Sequence, residues 1–156
     1  MNHLVAEMEA KAQNPDSFAI LLDLEGNVAE GSGSNFLFVS EGRIKVPDTR
    51  LVLSGADMAC IGQLAAEMQV GCDEGTFTPY DVYNAEEAFL TTNSFGILPI
   101  VSLNGLPIGS GKVGPVTRRL MDAWSELVGV DFVGQALSHL DPDEQRNLEA
   151  ERATIS

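Results

Sequence analysis

Residues 27–39 read Asn-Val-Ala-Glu-Gly-Ser-Gly-Ser-Asn-Phe-Leu-Phe-Val and set one carboxylate, Glu30, in front of a Gly/Ser turn that ends at Asn35. Gly31 and Gly33 allow backbone conformations and close ligand approach that a side chain would block. Ser32, Ser34 and Asn35 bring hydrogen-bonding groups to the same place. A charged group beside a polar turn between two strands can form a small-molecule site. Taken alone, such a stretch is more often a polar hairpin with a solvated glutamate, and the rest of the chain must decide between the two.

Other clusters have weaker support. Residues 109–114, Gly-Ser-Gly-Lys-Val-Gly, fit the G-x-G-x-x-G pattern, with Asp131 twenty residues after Gly111. That fingerprint needs a buried parallel strand running into a helix. The preceding segment instead contains Pro107 and follows the hairpin signal Asn104-Gly105. Lys112 is followed by Val113, so the hydroxyl that a P-loop places on its metal is missing. His3 and His139 stand far apart and in no metal-ligand spacing, and Gly31-Ser32-Gly33 lacks the spacing of a hydrolase nucleophile elbow.

The elements that must position Glu30 follow from periodicity and turn signals. Leu4, Val5, Met8 and Ala12 predict an amphipathic helix over 2–13, ended by Asn14-Pro15-Asp16. Apolar strands are expected over 18–24, 28–30, 36–39 and 44–46, the first turned by Glu25-Gly26-Asn27 and the last preceded by Glu41-Gly42. A helix over 57–68 buries Met58, Ile61, Leu64, Ala65 and Met68, with Asp57 as its cap. Further strands are expected near 72–78, 88–92, 97–103 and 106–108, with a helical turn around 80–84 and a polar corner at Thr91-Thr92-Asn93-Ser94. Pro115 opens a second large helix reaching Val128. The sequence divides into a domain over 1–137 and a polar, weakly ordered or helical tail over 138–156.

Composition narrows the partners. With 156 residues and 44% hydrophobic content the chain suits one domain with a substantial core. A formal charge of −14 repels phosphate backbones and anionic membrane surfaces, which argues against nucleic acid. No apolar run approaches the roughly 18 residues of a membrane span. Residues 1–13 carry Glu7 and Glu9 and do not read as a secretory leader, so a cytoplasmic, reduced setting is expected for Cys60 and Cys72.

In order along the chain, Leu22-Asp23, Gly26, Glu30, Gly31 to Asn35, Leu53-Ser54-Gly55, Phe89 to Ser94, Pro99 and Gly114-Pro115-Val116-Thr117 resemble the class IV pyridoxal-phosphate aminotransferases. That family includes branched-chain and D-amino-acid aminotransferases and aminodeoxychorismate lyase. The match runs from about Asn2 to Val128 and concerns only the family's C-terminal portion. It implies an α/β (α+β) fold, a mixed and mostly antiparallel partial barrel with flanking helices. It also implies amino-group transfer between an amino acid or amine and a 2-oxo acid in the parent enzyme, with lyase chemistry as the enzymatic alternative.

The resemblance assigns roles residue by residue. Glu30 matches the carboxylate facing the cofactor's pyridine nitrogen, and keeping that nitrogen protonated makes the ring an electron sink. Leu53 matches an apolar residue against the ring, and Ser34 and Asn35 support the adjoining loop. Ala56 and Asp57 match the helix start that holds the phosphate, and Thr92 and Asn93 match a second phosphate-binding corner. Asp57-Met58 replaces the family's small hydroxyl residue and arginine, which puts a carboxylate where a cation is usual. Asn93 replaces a threonine but can still donate to phosphate. The family's Schiff-base lysine falls before Met1, and Lys11, Lys45 and Lys112 do not match it. The match likewise begins after the family's small N-terminal domain, which is expected to be absent from this chain. Because the lysine both holds the cofactor and moves the proton, the chain alone is expected not to transaminate. A noncatalytic binding or assembly role, with self-association as a homo-oligomer, is the alternative from another class.

Overall fold

Two strands buried on both faces decide the architecture. The computed structural model describes residues 2–48, 50, 52, 56–92 and 94–141, residue 2 by its backbone alone. In β3 (Asn35–Ser40) successive side chains alternate, so Phe36 and Phe38 enter one apolar cluster while Leu37 and Val39 enter another. β6 (Glu87–Thr92) repeats the pattern, with Ala88 and Leu90 beside the phenylalanines and Phe89 on the opposite face. Strands with no solvent face need a covering layer on each side.

These strands form the middle of a five-stranded sheet ordered β5 (Cys72–Gly75), β4 (Arg43–Pro47), β3, β6, β7 (Gly96–Ile100). All neighbours are antiparallel except β4 and β5. Two small antiparallel pairs accompany it: β1 (Ile20–Leu22) with β2 (Val28–Gly31), and β8 (Ser102–Leu103) with β9 (Leu106–Pro107). Five helices complete the described chain: α1 (Asn2–Gln13), α2 (Ala56–Glu67), α3 (Pro79–Tyr83), α4 (Pro115–Val128) and α5 (Phe132–Ser138). Ile61, Leu64 and Ala65 of α2 and Leu120 of α4 cover the Leu37 and Phe89 face. Val28, Val82, Ala85 and Ile108 cover the other. The mixed, mostly antiparallel sheet with flanking helices agrees with the expectation from sequence.

Local chemistry explains the main boundaries. Glu41 and Gly42 have φ of 55° and 66°, and Asn104 and Gly105 have 50° and 78°, so both hairpins turn through two left-handed residues. At β4 and β5, Asp73 accepts from Arg43 Nη2 at 2.5 Å and from Lys45 Nζ at 2.8 Å. The Arg43 hydrogen bond first, then that of Lys45, hold the Asp73 carboxyl well below the usual carboxylate range. The parallel pair at the sheet's edge is thus tied by charge as well as by its ladder.

Several expectations need correction. The apolar run 18–24 pairs only over Ile20–Leu22, because Asp23 Oδ1 accepts from Glu25 N at 2.9 Å and Asn27 N at 2.8 Å and turns the chain. Leu24 is fully exposed. β2 and β3 do not continue one meander, since β2 pairs with β1 while β4 and β6 occupy both edges of β3. The expected strand 97–103 breaks at Val101, whose carbonyl accepts from Ile108 N at 2.9 Å. The strand expected over 72–78 ends at Gly75. Helix α2 begins at Ala56, so Asp57 lies inside its first turn and is not the cap.

The chain groups into two units, residues 1–124 and 125–156. In the second, Gly129 (φ 67°) closes α4 as Val130 N donates to Ser125 O at 3.2 Å. Asp131 Oδ1 then accepts from Gly134 N at 2.8 Å and caps α5, a helix absent from the sequence reading. The expected tail over 138–156 falls outside the described residues beyond 141.

Candidate functional site

The topology gathers several chain ends along one edge of the five-stranded sheet. β4 and β5 are parallel, and α2 connects them, so α2 runs back across the sheet and begins at the edge where both strands end. β3 begins and β6 ends at the same edge, with Asn35 opposite Thr91 and Thr92 opposite Gly96. The turn before β3, the start of α2 and the corner after β6 therefore share one border. In α/β sheets the ground beyond the carboxyl ends of strands is where ligands bind.

Glu30 stands at the end of β2, its side chain 18% exposed, with Oε1 3.6 Å from Nε2 of His3 on α1. The turn that follows is fixed from two sides. Ser32 Oγ donates to the His3 carbonyl at 3.0 Å, and Ser32 N donates to Ala19 O at 3.0 Å. Gly31 N donates to Ser34 O at 2.8 Å, so residues 31–34 close on themselves. A Cβ on Gly31 would collide with Ser34 Oγ and stand 2.9 Å from Leu90 Cδ2. Sequence reasoning did not connect His3 with Glu30, since 27 positions separate them and no local pattern signals the pair.

Buried polar groups of three residues, Ser34, Asn35 and Thr91, follow on the sheet border. Ser34 Oγ is buried and finds no hydrogen-bond partner among the described residues, and the same holds for Thr91 Oγ1. Asn35 lies between them along the border, buried, and is engaged in an interaction of its own. Buried hydroxyls without partners are uncommon; two of them stand at this border, and Thr117 Oγ1 at the start of α4 is a third. Thr91 had appeared in the sequence only as part of a polar corner.

At the start of α2, Ala56 is exposed and Asp57 buried. Burial, then the charges of Asp57 and Glu67, push the Cys60 thiol up. Glu30, Ser34 and Asn35 thus share one turn, and Ala56, Asp57 and Thr92 share its border. Leu53 and Asn93, the remaining candidates, lie outside the described residues.

The opposite border answers the dinucleotide possibility. Glu87, opposite Val39, is 5% exposed and accepts from Val116 N at 2.9 Å and Thr117 N at 2.7 Å. The N-terminus of α4 therefore already holds an anion, the chain's own carboxylate. Gly109 and Gly111 have φ of 55° and 70° and serve the backbone path of the loop. Asp131, which would have contacted a ribose, caps α5 instead. Among the described residues no group of three His, Cys, Asp or Glu side chains could hold a metal ion, and no helix is long and apolar enough to cross a membrane.

Two of the three lysines are committed to ion pairs: Lys11 with Glu7 at 3.2 Å and Lys45 with Asp73 at 2.8 Å. Lys112 lies in the loop leading into α4, whose first turn sits at the Glu87 border.

Comparison with known proteins points to one group. Residues 1–103 match the family described as amino-transferase class IV. A branched-chain-amino-acid aminotransferase of Pseudomonas aeruginosa is 39% identical over 128 residues, covering 82% of this chain and 41% of that protein. A D-alanine aminotransferase of Bacillus licheniformis is 32% identical over 117 residues, covering 74% of this chain and 41% of that protein. Among solved structures, the branched-chain amino acid aminotransferase of Escherichia coli superposes with a TM-score of 0.77 at 30% identity. That match covers 80% of this chain and 42% of the solved one. A further branched-chain amino acid aminotransferase, solved as a complex with N-(5'-phosphopyridoxyl)-L-glutamate, superposes with a TM-score of 0.78 at 35% identity. The chain spans about two fifths of the length of these relatives.

Proposed function

Because the chain belongs to the class IV aminotransferases, we propose that its Glu30 border is the cofactor cradle of a pyridoxal-phosphate enzyme, contributed by the C-terminal part of the whole protein. The whole protein would exchange an amino group between an amino acid or amine and a 2-oxo acid in the cytoplasm. The observation that supports this most is the shared border itself: a half-buried carboxylate, a helix start and the end of a central strand lie along one side of the sheet.

The donor set suits the group. Glu30 would hold a proton on the ring nitrogen, Leu53 would pack on the ring, and Ser34 and Asn35 would fix the turn beside it. Amides at Ala56 and Asp57, the Thr92 hydroxyl and Asn93 would take the phosphate. When bound, the cofactor supplies an electron sink for the substrate carbon. Ser34 and Thr91 bring buried hydroxyls with unused capacity to the same border. Asp57 opposes the phosphate charge, so binding should be weak and noncovalent.

The test is pyridoxal phosphate addition followed by borohydride reduction and peptide mapping. No stoichiometric lysine label is expected, with a measurable noncovalent affinity that Glu30→Ala weakens about tenfold. Specific labelling of Lys11, Lys45 or Lys112, or equal affinity in the Glu30 variant, would overturn the assignment.

A second reading has an observation of its own. Leu4, Val5 and Met8 on α1 are 67%, 49% and 64% exposed, an apolar face that a partner would bury. The chain is therefore also expected to self-associate. Light scattering should give a mass that rises with concentration, and a strict monomer over a wide range would exclude assembly through this face.

A further inference from the structure

Resting on the cradle proposed above, we infer that Trp124 is a positioning residue for the phosphate-binding corner at Thr92, acting through Gly96. Gly96 faces Thr92 across the β6–β7 pair and has φ of 68°, a left-handed backbone that favours glycine. The place where a side chain on Gly96 would begin is filled by the indole of Trp124. A Cβ there would stand 2.9 Å from Nε1, 3.3 Å from Cδ1 and 3.4 Å from Cε2. Trp124 is itself packed against the cluster formed by α2, α4 and the Leu37 face of the sheet.

The neighbouring residue is held from the other side. Phe95 meets Phe18 edge to face, with ring centres 6.2 Å apart, and packs with the Phe36 and Leu90 cluster. Successive residues of the corner are thus gripped by opposite layers of the domain. A glycine in a left-handed conformation has wide freedom unless something removes it, and here the indole does so. Trp124 acts without touching the phosphate. It limits where the group at 92 can point, and a binding corner fixed before its ligand arrives loses less affinity to ordering.

Two arms test this with Trp124→Leu, which keeps much of the volume, and Trp124→Phe, which keeps an aromatic ring. In the ligand-free chain, hydrogen exchange at the amides of residues 95–97 should accelerate in the leucine variant and stay near wild type in the phenylalanine variant. With ligands, the leucine variant should weaken pyridoxal phosphate about tenfold and leave pyridoxal, which lacks the phosphate, unchanged. Phenylalanine should restore the phosphate-dependent part. Trp124 is the chain's one tryptophan, so quenching of its emission by pyridoxal phosphate gives the binding curve in wild type. Absorbance reports binding in the variants. Unchanged exchange in the leucine variant, or equal loss for both ligands, would overturn the inference. If wild type binds no pyridoxal phosphate, the cradle fails instead, and exchange alone then decides whether Trp124 holds the corner.

Discussion

Replacing Glu87 with alanine is expected to remove about 3 kcal/mol of stability, from two charge-assisted hydrogen bonds and a buried helix end left without a partner. Its carboxylate accepts both Val116 N and Thr117 N and is almost wholly enclosed. Glutamine keeps one acceptor oxygen and should cost about 1 kcal/mol. The same contact explains Gly114, where a Cβ would occupy the space of the Glu87 carboxylate and its Cγ. Gly114→Ala should therefore cost about 2 kcal/mol by overpacking. The two effects should not add, because alanine at 114 has nothing to collide with once residue 87 is alanine. Urea midpoints of the two single variants and the double variant measure this, and strict additivity would refute the account. The clasp also bears on the cradle: it fixes where α4 starts, and Trp124 on the same helix reaches the corner on the opposite border.

Glu87 shows what the sequence could and could not supply. Its neighbours Ala88 to Thr92 read as a buried strand, and Pro115 reads as a helix start, because each signal is local. A glutamate pair, Glu86-Glu87, at the head of an apolar run reads as solvent-facing. The partner amides of Glu87 lie 29 and 30 positions away, and backbone amides leave no mark in the residue types. His3 beside Glu30 escaped for the same reason. Helices α1 and α4 were legible, since apolar spacing at 3.6 marks both, Pro15 follows the end of α1, and Pro115 and Gly129 bound α4. The run 18–24 pairs over only part of its length because apolar content alone does not bring pairing: the Asp23 turn and the exposure of Leu24 are set by what lies next to them. At the candidate site the residue types and their order were legible, but the common border was not. That border follows from the parallel pairing of β4 with β5, a long-range fact.

Gly31→Ala is expected to cost about 2 kcal/mol by overpacking and to weaken pyridoxal phosphate about tenfold, whereas Gly33→Ala should cost about 1 kcal/mol for a different reason. The sequence offers both glycines as flexible turn residues, but the structure separates their roles. Gly33 has φ of 76° and open space around it, so alanine there suffers only from the left-handed backbone. Gly31 is absent from the left-handed residues, yet a side chain would strike Ser34 Oγ and crowd Leu90. The turn would have to open, and Glu30 is its immediate neighbour, so the carboxylate would leave the place proposed for it beside the ring nitrogen. The rescue pattern discriminates the two mechanisms. Ser34→Gly removes the nearest collision and should recover part of the stability and affinity lost in Gly31→Ala, with the Leu90 contact as the remainder of the cost. It should do nothing for Gly33→Ala, whose strain lies in its own φ angle. Thermal melts and pyridoxal phosphate titrations of the single variants and the two double variants read both effects. Rescue of Gly33→Ala, or none for Gly31→Ala, would show that the turn is held by something other than the close approach of residues 31 and 34.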